Sequence, residues 1–214
     1  MDSKMSSLIS FTDPTQAIIL TDTLAVVGDK PYKFTSKVHI LPHMNMIVAG
    51  TGVGGFADRW FLDINSKKTA LDIDSLERGA SGDLYALWIR YKRESLVLPG
   101  RDVTIFHFGF SEETGLMKTY VYHSWTGFKS EPTGYGLATR PRVDSSTCVV
   151  PTDGMKIMEM QRAAQLLLPK GERVYIGGSI QAHHLDGNGF HVYTLAKFDD
   201  FDSDLSKIRA SQGK

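Results

Sequence analysis

Cysteine is nearly absent from the chain: Cys148 is the one thiol in 214 residues. A single thiol excludes an internal disulfide and a multi-cysteine zinc site, and it fits a reducing compartment. Excess charge of either sign is also missing, since 24 Lys plus Arg balance 24 Asp plus Glu. No overall field therefore draws the chain to nucleic acid or to an anionic membrane. The basic residues are scattered, with no Lys/Arg-rich block interleaved with aromatics, so a nucleic-acid partner is not expected. Long apolar runs are lacking as well. The longest are broken by Asp22 or Arg90, far short of a membrane span. The opening MDSKMSS has no apolar stretch of the signal-peptide kind. These absences predict a soluble, cytoplasmic protein with no membrane partner.

What remains is enough for one large domain. With 42% hydrophobic and 22% charged residues the chain can bury a sizeable core, and neither a repeat nor a linker divides residues 1–214. Ser7 to Thr12 and Ala17 to Thr23 are β-rich and flank the turn-forming Asp13-Pro14-Thr15-Gln16, which predicts a hairpin. Residues 37–41 and 46–50 predict a second strand pair. After TGVGG the period changes, and Ala57, Trp60, Phe61 and Ile64 mark an amphipathic helix. Leu84, Leu87, Trp88 and Tyr91 predict another over about 82–95, preceded by a polar link and ended by Leu98-Pro99-Gly100. Strands resume at 102–110 and 117–123. Residues 126–152 read as loop with one short strand, Met155 to Leu167 as a third helix, and Arg173 to Ile176 and Gly189 to Ala196 as the last strands. The acidic, then polar tail from about 200 to 214 is expected to fray. Strands and helices in segregated runs predict an α+β fold.

Chemistry gathers in the N-terminal half. Asp22 follows Ser6 by sixteen residues and precedes Lys37 by fifteen, and a hairpin with a returning strand brings such residues to one sheet edge. A serine hydroxyl needs a base to become a nucleophile. A first-residue serine has one in its own α-amine, whose ordinary pKa is about 8. An ammonium such as Lys37 would depress that pKa, and a carboxylate such as Asp22 would hold the ammonium in place. Backbone N–H groups of the Gly-rich turn would face an oxyanion. Nucleotide chemistry is not expected: TGVGG is not a full GxGxxG and no P-loop lysine follows it. Nor is a metal, because the adjacent His183 and His184 point to opposite faces of a strand. No cofactor is implied.

Residues 17–58, AIILTDTLAVVGDKPYKFTSKVHILPHMNMIVAGTGVGGFAD, resemble the N-terminal half of the proteasome β-subunit and HslV peptidase family. The shared features are an apolar run ending in Asp-Thr, a Lys before an apolar strand, and an Ala-Gly, Gly-rich turn leading to Ala-Asp. IGGSIQAHHLDGNGF resembles the family's closing strand pair. The resemblance covers residues 6–125 well and 173–196 loosely. It implies a four-layer αββα sandwich of the N-terminal nucleophile (Ntn) hydrolases, two packed antiparallel sheets flanked by helices. It places Ser6 at the nucleophile position, Asp22 and Lys37 at the supporting positions, and Gly54 at the oxyanion position, with Gly50 and Gly52 as alternatives. Ala25, Thr35 and Phe56 fall where the family lines the pocket for the residue before the scissile bond. The implied activity is hydrolysis of peptide or small amide bonds by a homo-oligomeric ring, in a family that also works with unfoldase partners.

The chain departs from that pattern in instructive ways. Serine replaces the usual threonine, and GYGLATRPRVDSSTCVV stands where a Gly-Ser-Gly-Ser motif is expected. The family's second aspartate and serine have only Asp153 and Ser179 as nearby counterparts. Phe56 would fill the pocket. Met1 to Met5 precede Ser6, so a free amine requires their removal, and a start at Met5 followed by methionine excision before the small Ser6 would supply it. The rival expectation is a non-catalytic structural or assembly subunit that keeps the sandwich alone.

Overall fold

The computed structural model describes residues 4–5, 7–67, 69–95, 97 and 99–212. In chain order the first strands are β1 (Lys4–Met5), β2 (Leu8–Asp13), β3 (Gln16–Asp22), β4 (Leu24–Val27), β5 (Lys30–Phe34), β6 (Val38–Leu41) and β7 (Met46–Val53). Helices α1 (Phe56–Lys67) and α2 (Ile73–Glu94) follow, then β8 (Val103–Phe110), β9 (Met117–His123), β10 (Ser130–Pro132) and β11 (Gly136–Arg140). The chain continues through α3 (Gly154–Leu166), the hairpin β12 (Ser179–Asp186) and β13 (Gly189–Lys197), and α4 (Phe201–Gln212). Among the described residues every strand pairing is antiparallel. One sheet runs β1-β7-β8-β9-β10 with β6 also on β7, a second runs β11-β2-β3-β12-β13, and β4-β5 form a separate ribbon. This is a mixed, α+β arrangement. No helix among the described residues is long and apolar enough to cross a membrane.

The period-2 alternation of the strands decides where each side chain goes. Met46 and Val48 of β7 join Trp60 of α1 and Leu84 of α2 in one core. Their neighbours Ile47 and Ala49 join Leu8, Ala17 and Ile19 of the second sheet in another. Ile9, Ile18 and Leu20 point the opposite way and meet Ile157 and Met158 of α3 in a third. Both sheets are therefore buried on both faces, which explains the near-continuous apolar runs IIL and MIVAG.

Four local expectations change. α2 starts at Ile73, not near residue 82, because Asp72 and Ser75 form a reciprocal capping box and Ile73, Leu76 and Ala80 are buried. Residues 126–152 hold two short strands, β10 and β11. Residues 173–176 are not a strand, since Val174 N–H donates to the Gln165 side chain at 2.8 Å and the ladder begins at Ser179. Residues Phe201–Gln212 of the tail are a helix. Its first turn carries Asp202 and Asp204, favourable against the helix dipole, Phe201 stacks on Phe34 at 4.7 Å, and Ile208 is buried.

Two buried histidines set an acid limit on stability. Trp60 Nε1 donates to His107 Nε2 at 2.8 Å, so the ring is neutral, and burial pushes its pKa down to about 3. Burial, with His39 nearby, takes His183 to about 4. Both rings protonate near pH 6.5 once unfolded. Stability is thus fully present above about pH 6.5 and lost as pH falls, by about 1.4 kcal/mol per pH unit for each ring. Urea titrations at pH 7, 6 and 5 should show this loss, and His107→Gln should shrink its slope; an unchanged slope would contradict the assignment.

Candidate functional site

The site begins with a register feature of β7. β6 pairs with its first half, Val38 opposite Ala49, and β1 pairs with its far end, Met5 opposite Gly52. The two strands run in the same direction along one edge of β7 and leave Gly50 and Thr51 between them. Lys37, immediately before Val38, enters at this break. Gly52 sits at φ +99°, and an added Cβ would collide with the carbonyl of Asp102, so this strand end requires glycine.

At the break Lys37 reaches out of the first sheet to the end of β3. Its Nζ donates to Asp22 Oδ1 at 2.7 Å and to the Leu24 carbonyl at 2.8 Å. Both side chains of the ion pair are 0% exposed. An ammonium has three N–H donors, and among the described residues two of them are used. Burial lowers the Lys37 pKa below its ordinary value, and the Asp22 charge only partly restores it. Asp22 is saturated in turn. Oδ1 also accepts from the Ser7 N–H at 2.9 Å, and Oδ2 accepts from the Gly177 N–H at 3.1 Å.

A cleft of about 270 Å³ opens beside the pair. Ala25, Val27, Thr35, Lys37, Gly54 and Ala57 are among its lining residues. Of the three glycines considered for an oxyanion, Gly50 and Gly52 are ladder partners of Ile105 and Val103, and Gly54 alone lines the cleft. The Gly54 carbonyl accepts from the Tyr91 hydroxyl at 2.7 Å, which anchors the turn. At the rim His39 Nε2 lies 2.9 Å from Asp58 Oδ1, a contact that with Lys33 holds the Asp58 carboxyl below the usual range.

The structure thus brings Asp22 and Lys37 into contact and puts Gly54, Ala25 and Thr35 around the adjoining cleft. Ser6 lies outside the described residues. Phe56 is placed elsewhere than expected: it is fully buried, does not line the cleft, and packs edge-on to Trp88 and Tyr91 and against Phe128. As the first residue of α1 it points onto α2, so it leaves the cleft open. Asp153 accepts from the Val149 N–H at 2.8 Å, a loop contact before α3. Ser179, by contrast, comes close. Its Oγ is 3.2 Å from Thr23 Oγ1, and its N–H donates to the same oxygen at 2.8 Å, one residue from Asp22.

Three contributors went unnoticed in the sequence: Ser7, Thr23 and Gln161. Gln161 is fully buried on α3 and accepts from the Ser7 hydroxyl. Its signal was there to find, because a glutamine at 161 continues the stripe of Gly154, Ile157 and Met158 and so falls on the apolar face. Among the described residues no group of three or more His, Cys, Asp or Glu is arranged to hold a metal ion.

Removing one member of a buried ion pair strands the other without compensation, at a cost of about 3–5 kcal/mol, whereas replacing both by apolar groups is often neutral. Asp22→Ala should therefore lower urea-unfolding stability by about that amount. Asp22→Leu with Lys37→Met should be milder than either single change, and equal losses in all three would contradict the pairing.

A comparison with models of protein families finds no match to this sequence, and a search of curated proteins finds no match either.

Proposed function

We propose that the chain is a proteasome-like Ntn hydrolase that cleaves peptide or other amide bonds with Ser6 as nucleophile. The observation that carries this reading is the fully buried Lys37–Asp22 pair at the break in the β7 edge, beside a cleft lined by Gly54. A buried pair is a poor stabiliser, so its presence beside a cleft argues for chemistry. The three cores between α1/α2, the two sheets and α3 support a four-layer αββα sandwich. A cytoplasmic, ring-forming homo-oligomer completes the proposal.

In this mechanism the Ser6 hydroxyl attacks the substrate carbonyl carbon and gives its proton to the Ser6 amine. In this reading the Lys37 charge keeps that amine unprotonated near neutral pH, and Asp22 keeps Lys37 in place. The tetrahedral oxyanion accepts from the Gly54 N–H. Collapse breaks the C–N bond, the ammonium proton passes to the leaving amine, and water then hydrolyses the ester to regenerate Ser6. One observation favours the second reading, a non-catalytic subunit. Lys4–Met5 pair with Gly52–Val53, so these two residues ahead of Ser6 have a place in the β7 ladder.

Intact mass and N-terminal sequencing of protein from its native host, followed by an electrophilic serine/threonine-peptidase probe, decide between them. A free Ser6 that takes the label supports the hydrolase, and Lys37→Ala should then slow labelling by about 10³-fold, in the range for loss of a principal electrostatic group. Retained Met1 with no labelling supports the scaffold.

A further inference from the structure

We propose that Gln161 is a positioning residue of this site: it clamps Ser7, the residue covalently bonded to Ser6. The inference rests on the hydrolase reading and adds a group to it from a different element, helix α3. A glutamine is mostly exposed in folded proteins, yet Gln161 is 0% exposed and both ends of its carboxamide are engaged. Oε1 accepts from Ser7 Oγ, and Nε2 donates to the Pro141 carbonyl at 2.7 Å. The Pro141 bond fixes which way the amide faces, so the oxygen is the end presented to Ser7.

Ser7 is consequently held at two atoms. Its hydroxyl is held by Gln161, and its nitrogen, which is the nitrogen of the Ser6–Ser7 peptide bond, is held by Asp22 Oδ1 at 2.9 Å. The same Asp22 oxygen accepts from Lys37 at 2.7 Å. A residue held at one atom can pivot about that contact, whereas one held at two cannot. The two-point hold fixes Ser7 relative to the Lys37 ammonium. Misplacement of a reacting group by about 1 Å can cost about 10²-fold in rate, so a clamp of this kind acts on the chemical step. Gln161 reaches neither the cleft nor the ion pair directly, and its effect passes through Ser7.

The test uses the protein after removal of residues 1–5, with the electrophilic serine/threonine-peptidase probe as reactant. Ser7→Ala and Gln161→Leu should each lower the maximal labelling rate about tenfold with little change in the half-saturating probe concentration. The double variant should be no worse than the slower single, because the two residues act as one unit. Ser7→Thr, which keeps the hydroxyl, should restore the rate. Thermal unfolding of each variant separates this from simple destabilisation: Gln161→Leu should stay slow at temperatures where it is fully folded. Rate losses that multiply in the double variant, or folded single variants that label at the wild-type rate, would overturn the clamp while leaving the hydrolase in place. A mature wild-type protein that takes no label would overturn both.

Discussion

The contact between Lys37 and Asp22 governs the surrounding architecture. Two opposite charges sit where water does not reach, and each must satisfy its remaining hydrogen-bonding capacity from the protein. Asp22 does so by gathering Lys37, the Ser7 N–H and the Gly177 N–H, and Lys37 adds the Leu24 carbonyl. Those bonds tie the end of β3 to the entry of β6, to the chain after Ser6 and to the segment before β12. Three other stretches of sequence are thus registered against one carboxylate. Apolar residues of similar volume would pack as well without the cost of desolvating two ions.

Much of this layout is legible in the sequence because it follows local rules. The hairpin β2–β3 announces itself through Asp13-Pro14 between apolar runs, and the stripe Ala57, Trp60, Ile64 through its period. Asp22 stands out as an acid inside an apolar run, and Lys37 precedes an apolar strand. The start of α2 is harder to see, since Gly79 and Gly82 depress helix propensity over the stretch that the Asp72–Ser75 box nucleates. α4 is hidden for another reason. Phe201, Leu205 and Ile208 have helical spacing, but an acidic segment with three large apolar residues gains order only from tertiary packing.

The misjudged residue on the site is Phe56, and its placement shows how an aromatic chooses between two surfaces. At the mouth of α1 its ring can face the cleft or the α1–α2 core. On the core side it meets Trp88 at 5.0 Å, Tyr91 at 5.4 Å and Phe128 at 5.8 Å. Such pairs contribute about 0.5–1.5 kcal/mol each beyond area burial, and a half-solvated cleft offers nothing comparable. The sequence position fixes the backbone at the cleft, while packing takes the side chain away from it.

The ribbon β4–β5 supplies Ala25, Val27, Tyr32 and Lys33 to the cleft, yet a two-stranded ribbon by itself is marginal in water. Phe34 at its end is stacked on Phe201, and Lys197 lies over the same ring at 4.4 Å. One wall of the cleft therefore leans on residues far downstream of it in the chain, whereas Asp22 and Lys37 both precede the cleft-lining Gly54. During synthesis Asp22 and Lys37 emerge well before Phe201, so a nascent chain holds both members of the charged pair before the residue that braces the ribbon has been made.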